Sequence, residues 1–404
     1  METQQIDQER QIKAREYARI QRRLSILGMG LSGAYALAWL IFGWANGLSE
    51  GLRSVSSSPW LEVALFGVIF GGIFSLANLP LDFYSGFTLP HRFGQSTETL
   101  KGWMMDQLKG LAIGAPLGLG LLELVYALLR WQPESWWLWV TGALILINVL
   151  LANLAPVLIM PIFNKFIPLG EEHAELVERL MKLAEKTGAR VKGVYKFDMS
   201  QRTRAANAAV TGLGNTRRII LGDTLISEFS VDEIETVMAH ELGHQVHQDI
   251  PLGIVVESGL MLGGLFLASL GLRAGVAIFG LAGAGEPSSL PLLMILMGIY
   301  SLITMPLGNG FSRWRERRAD EFSLQVTHNG PAFASALTRL ANQNLAEVDP
   351  EPWVEWLFYS HPALKKRIAM AQASAAAQEG GRASGLNVPG DTEQGSEGET
   401  PERS

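Results

Sequence analysis

His240, Glu241 and His244 fall inside the run His240-Glu241-Leu242-Gly243-His244, an H-E-x-x-H spacing. On a helix, positions i and i+4 share a face, so the two imidazoles point the same way. Glu241 sits one step round and can reach a water held between them. Zinc catalysis needs this set: two imidazoles on one face, a third ligand from elsewhere, and an open position for water. The metal lowers the pKa of that water and the carboxylate takes its proton. The pattern alone would arise by chance in about one such sequence in a hundred, so its surroundings must decide. The chain has no cysteine, which leaves histidine and carboxylate as the available ligands.

A third ligand is at hand in "SRWRERRADEF", residues 312–322, where Glu316 and Asp320 stand one helical turn apart. Alone, this run reads as a solvated, salt-bridged helix face. Beside an H-E-x-x-H helix, Glu316 can complete the metal site. Asp320 can then accept the second N–H of a ligand histidine, which fixes the ring.

These residues need elements to hold them. Ser230 and Glu233 form an S-x-x-E capping box, so a helix starts at Val231 and carries the histidines. Ahead of it, residues 171–189 have helical periodicity, with Leu176, Leu180 and Leu183 on one stripe and Gly188 as a stop. Residues 191–197 and 217–221 read as strands, and 206–212 as a weaker third strand. This third strand is the candidate sheet edge, where an extended peptide can add itself by main-chain hydrogen bonds. Asn207 carries an amide donor and acceptor there that can grip such a backbone.

The rest of the chain is apolar for long stretches. Six runs, near 24–45, 60–80, 111–129, 136–160, 252–272 and 290–310, reach the roughly 20 residues that cross a bilayer. The apolar stretch 275–285 reads as a re-entrant piece or part of a seventh span. Arg10, Lys13, Arg15, Arg19, Arg22 and Arg23 precede the first run, which places the N-terminus in the cytoplasm. An even number of spans puts the metal site and the C-terminus on the same side. There is no basic patch of the kind that binds nucleic acid.

The expected fold is therefore a polytopic α-helical membrane protein with a zincin-like α/β metalloprotease domain on the cytoplasmic side. Its parts are a basic leader (1–23), a region of about four spans (24–167) and an α/β segment with the H-E-x-x-H helix (168–250). A transmembrane hairpin (251–310), a C-terminal catalytic segment (311–372) and a disordered tail (373–404) follow. The tail is rich in Gly, Ser, Ala, Glu and Pro and cannot bury enough apolar surface to fold.

From about Pro80 to Gln372 the chain resembles the type I CAAX prenyl proteases, membrane zinc endopeptidases, and their bacterial relatives. "HELGH" followed by "SRWRERRADEF" matches that family's H-E-x-x-H and E-x-x-x-D arrangement. "APVLIMPIFNKFIPL", "ANAAVTGLGNTRRIILGDTLI" and "YSHPALKKRI" resemble three further segments of it in the same order. The resemblance implies one zinc per chain on His240, His244 and Glu316, with Glu241 as base and Asp320 orienting a ligand. It implies that His361 helps stabilise the oxyanion, that Arg367 braces the site, and that Asn207 and Ala208 on the edge strand hold substrate. The expected location is a bacterial inner membrane, crossed several times, with the termini and the active site on the cytoplasmic side. The family usually has an aromatic residue where this chain has Ala209, and its eukaryotic members have seven spans where six are counted here.

The function expected is zinc-dependent endopeptidase action on CAAX-type, lipidated or membrane-associated peptides, by attack of activated water. One alternative is a quality-control metalloprotease for membrane proteins. Another, of a different class, is a transporter or scaffold with a vestigial zinc site. Glu241 speaks against the last, because a vestigial site has no need of a carboxylate beside the first histidine.

Overall fold

In a computed structural model, which describes residues 5–212 and 217–385, six helices are long and apolar enough to cross a membrane. The first is α1, Gln8–Ile41. A short α2, Trp44–Val55, leads to α3, Pro59–Phe83, which runs through a π-turn into α4, Leu89–Arg92. Next come α5, Leu100–Trp131, and α6, Trp136–Leu154, the latter continued by a π-turn into α7, Met160–Phe163. The soluble elements follow: β1, Phe166–Pro168; α8, Ala174–Lys186; β2, Val194–Phe197; β3, Ala208–Thr211; β4, Arg218–Gly222; α9, Asp223–Glu228; and α10, Val231–Val246. The last two spans are α11, Asp249–Ile278, and the long α12, Leu290–Thr327. Then α13, Gly330–Gln343, α14, Pro352–Phe358, and α15, Leu364–Gly385, complete the described chain.

The ends of the bundle sort as alternating spans require. At one end, Arg53 pairs with Glu62 and Glu286, Arg273 pairs with Glu134, and Asn46 Nδ2 donates to the Gly280 carbonyl. At the other, Arg92 pairs with Glu16, and the Thr97 N–H donates to the Arg202 carbonyl. The soluble elements, the start of α1 and the C-terminal helices thus share one end.

The sheet has the order β1-β2-β4-β3, with β2 and β4 parallel and the outer pairs antiparallel. One edge is β3, as the 206–212 run predicts, and it packs on α10. The stripe Leu176, Leu180 and Leu183 of α8 buries against Ile219, Leu221, Ile234, Met238 and Leu242. Each fully buried side chain of this size contributes about 1.5–3 kcal/mol. That core fixes α10 against the sheet.

Three expectations change, and one strand is added. The basic leader is no separate piece: α1 continues from it into the first span without a break. Residues 275–285 form neither a re-entrant piece nor another span; they end α11 and turn into α12. The strand β1 was not foreseen, and it pairs with β2 through only three residues, ending in Pro168. The tail expected from 373 is helical as far as Gly385. "AMAQASAAAQ" is rich in the best helix former, and α15 seats on α13 so closely that a Cβ on Gly330 would meet the Ala371 carbonyl at 2.5 Å. The remainder of that tail, 386–404, lies outside the described residues.

Candidate metal centre

The capping box forms as the sequence predicts. Ser230 Oγ accepts from the Glu233 N–H, and Glu233 accepts from the Ser230 N–H at 2.8 Å. The helix then runs to Val246 and carries His240, Glu241 and His244.

Opposite lies α12, which leaves the apolar region and passes directly behind the H-E-x-x-H turn. The two helices touch at Gly243. A Cβ there would meet Ala319 Cα at 3.2 Å and the Phe322 ring at 3.1 Å. Ser323 Oγ donates to the Thr236 carbonyl at 2.7 Å, a second fastening further along. The glycine inside the motif is thus what lets α12 come near enough for Glu316 and Asp320 to reach the histidines.

They do reach them. His240, His244 and Glu316 each offer one ligand atom, all within 4.8 Å of one another. His240 Nε2 lies 3.2 Å from His244 Nε2 and 3.3 Å from Glu316 Oε2, and His244 Nε2 lies 3.5 Å from Glu316 Oε1. The outer nitrogens are engaged by other acids. His240 Nδ1 faces Asp320 Oδ1 at 2.8 Å, and His244 Nδ1 faces Asp249 Oδ2 at 2.7 Å. With the ring proton at Nδ1, beside each carboxylate, both Nε2 atoms would turn a lone pair toward the same point. Two lone pairs at this distance repel unless a cation lies between them. Ligand nitrogens at 2.0–2.1 Å from a tetrahedral metal stand about 3.3 Å apart, which matches the separation here. Glu316 Oε2 is buried and has no hydrogen-bond partner among the described residues, as suits a carboxylate oxygen reserved for a cation. Burial pulls the His240 ring down, yet the Asp320 and Glu316 carboxylates outweigh it and hold it up at about 9. The acids call for positive charge at this point, and a divalent cation supplies it. The residues therefore fit a metal.

Of the other residues singled out in the sequence, Asp320 and Arg367 form one unit. Arg367 grips Asp320 with two hydrogen bonds, Nε to Oδ2 at 2.7 Å and Nη2 to Oδ1 at 2.6 Å, and Asp320 is fully buried. Arg367 thus reaches the cluster through Asp320, whose Oδ1 lies 2.8 Å from His240 Nδ1. His361 Nε2 stands 3.4 Å from Glu316 Oε1, with its side chain more than half exposed. Glu241 is half-buried and its carboxyl is raised by desolvation, with the charges of His240, His244, Glu316 and Arg367 also acting on it. Asn207 is exposed at the start of edge strand β3, with Ala208 buried beside it. The Asn207 carbonyl accepts from the Gly222 N–H. His247 stays out of the centre and packs on the Phe322 ring.

Asp249 is the residue that sequence reasoning missed. It is five positions past His244, beyond a break at Gln248, whose φ of 55° turns the chain back. The available signal was a carboxylate at the first position of the following apolar helix.

Two family models match the chain. One, described as CAAX prenyl protease N-terminal with five membrane helices, covers residues 2–165, and peptidase family M48 covers residues 171–375. Within the first range this chain has four helices long enough to span, since α2 is only 12 residues. An uncharacterized metalloprotease of Bacillus subtilis (strain 168), YhfN, is 29% identical over 363 residues, spanning 89% of this chain and 84% of its own length. CAAX prenyl protease 1 of Saccharomyces cerevisiae is 28% identical over 394 residues, spanning 90% of this chain and 86% of its own. The crystal structure of S. mikatae Ste24p superposes with a TM-score of 0.81 at 25% identity, covering 91% of this chain and 90% of that one.

Proposed function

The chain belongs to peptidase family M48 and is a membrane metalloendopeptidase, and on that footing we propose that its metal is zinc and that it cuts lipidated or membrane-associated peptides at the cytoplasmic face of the bilayer. The observation that carries the metal reading is the pair of Nε2 atoms, 3.2 Å apart, whose rings are each fixed from behind by a carboxylate. Two imidazoles and one carboxylate are a catalytic zinc set, with the fourth position open.

When bound, zinc supplies Lewis acidity to a water and to the scissile carbonyl. The chain's own residues do the rest. Glu241 takes the proton from the attacking water and delivers it to the leaving amine. His361, beside Glu316, donates to the carbonyl oxygen as negative charge develops there. The free edge of β3 receives an extended peptide, and Asn207 holds its backbone beside the bond to be cut. Asp320 and Asp249 keep the two imidazoles in the tautomer that ligates.

The position of the centre supports a substrate held near lipid. Asp249, which orients His244, is the first residue of a helix apolar enough to span, and Glu316 lies on the continuation of another. The protein named CAAX prenyl protease 1 among the relatives agrees with a lipidated substrate. The test is one peptide in two forms, farnesylated and unlipidated, given to the purified protein and resolved by mass. Preferred cleavage of the farnesylated form supports the reading. Equal cleavage of both assigns the chain to general turnover of membrane-associated peptides instead.

A further inference from the structure

The turn between α13 and α14 touches both halves of the substrate site. Asn344 uses its amide as a strand would. Its Oδ1 accepts from the Ala206 N–H at 2.8 Å and its Nδ2 donates to the Ala206 carbonyl at 3.1 Å. Ala206 directly precedes Asn207, so this two-point grip sets where the edge strand begins. Three residues on, Glu347 accepts from the Tyr359 hydroxyl at 2.8 Å. The Tyr359 carbonyl is held by Arg313 Nη1 at 2.6 Å, three positions before the ligand Glu316. Tyr359 is thus pinned at ring and backbone, two residues before His361.

The turn itself is clamped from the N-terminal helix. Gln11, 4% exposed, donates to the Ala346 carbonyl at 3.0 Å and accepts from the Val348 N–H at 3.1 Å. Arg22 pairs with Glu347 at 2.9 Å. Between these fastenings Leu345 adopts φ 51°, a conformation a non-glycine residue keeps only when its surroundings impose it. Helix α1 therefore does more than lead into the membrane.

We propose that Asn344 and Glu347, clamped by α1, are positioning residues: Asn344 places Asn207 for the substrate backbone, and Glu347 places His361 through Tyr359. The proposal rests on the roles given above to Asn207 and His361. It predicts two separable kinetic signatures, because a backbone grip is felt when substrate binds, whereas oxyanion stabilisation is felt in the transition state alone.

The experiment combines kinetics with amide hydrogen exchange on the full chain in detergent. Tyr359→Phe removes the hydroxyl that donates to Glu347 and accepts from Arg22 Nη1 at 3.2 Å, and should lower kcat about tenfold with KM unchanged. Asn344→Ala should raise KM by a similar factor. Neither should lose activity further when added to His361→Ala or Asn207→Ala respectively, since each acts through that partner. Exchange should quicken at residues 207–211 in Asn344→Ala and at 360–364 in Tyr359→Phe, each without the other. Losses that multiply in the double variants overturn the proposal, as does exchange unchanged at both segments. If the wild type cleaves nothing, the functional reading fails, and the exchange measurement still decides whether the two residues position these segments.

Discussion

Replacing Asp249 should weaken the metal centre without unfolding the protein. Asp249 is 2% exposed and touches His244 Nδ1 at 2.7 Å, a charge-assisted contact. Such bonds are worth about 1.5–3 kcal/mol. Substituting the outer partner of a ligand histidine typically costs about 10–100-fold in metal affinity, or about 1.4–2.8 kcal/mol at 1.4 kcal/mol per decade. The two ranges agree. Asp249→Asn can still present a carbonyl oxygen to the Nδ1 proton, so it should lose about tenfold. Asp249→Ala leaves the ring free to rotate and to change tautomer, and should lose nearer 100-fold. The fold should hold, because the Arg315 contact in this corner goes to the Asp249 backbone carbonyl and survives both changes. Competition with a chromogenic chelator gives the affinity, and thermal unfolding of the metal-loaded protein gives the stability. An Asp249→Ala protein that binds metal as tightly as wild type refutes the reasoning that the acid holds the ligating tautomer.

Gly243→Ala places a methyl 3.2 Å from the Ala319 backbone, so α12 must shift by a few tenths of an ångström. Metal affinity should fall severalfold while helix content by circular dichroism stays unchanged. Asp320→Asn, unlike Asp249→Asn, breaks a buried ion pair with Arg367 and should cost on the order of 3 kcal/mol of stability as well as metal affinity, read by denaturant unfolding. Desolvation raises the Glu241 carboxyl, and a base must be deprotonated to act. Activity should therefore fall on acidification at a pH above the ordinary carboxylate range, checked by the acid limb of kcat/KM. In this cysteine-free chain, Ser57→Cys should label with an impermeant reagent in intact cells and Ser396→Cys should not; labelling at 396 contradicts the orientation.

The sequence was most informative where chemistry and helical spacing coincide. His240, Glu241 and His244 are fixed by one helix turn, and Glu316 and Asp320 by another, so periodicity alone put the two histidines on one face with Glu241 one step round, and the two acids on another. The capping box located the start of α10 because its signal is contained within four residues. Apolar length located the six spans for the same local reason. What stayed hidden depends on distance or on breaks in regularity. Asp249 reaches His244 only because Gln248 leaves helical geometry, which no periodicity anticipates. The docking of α1 joins Gln11 to Ala346 and Val348 across more than 300 residues, and nothing in the leader's charge announces it. Strand β1 is too short for alternation to show, and its Pro168 argues locally against a strand. The extension of α15 comes from Ala-rich sequence packing on Gly330, where composition alone suggested a solvated tail.

The proposed mechanism rests on one division of labour: His240, His244 and Glu316 would hold the metal, and Glu241 would move the proton. It is tested most directly by measuring bound zinc and peptide cleavage side by side in wild type, Glu241→Gln and Glu316→Gln. The wild type should carry one zinc per chain and cut a farnesylated peptide, lose activity to a chelator and regain it with zinc. Glu241→Gln should keep its zinc and yield no product, while Glu316→Gln should lose both. A Glu241→Gln protein that cuts at the wild-type rate, or a Glu316→Gln protein with full zinc and full activity, would contradict it.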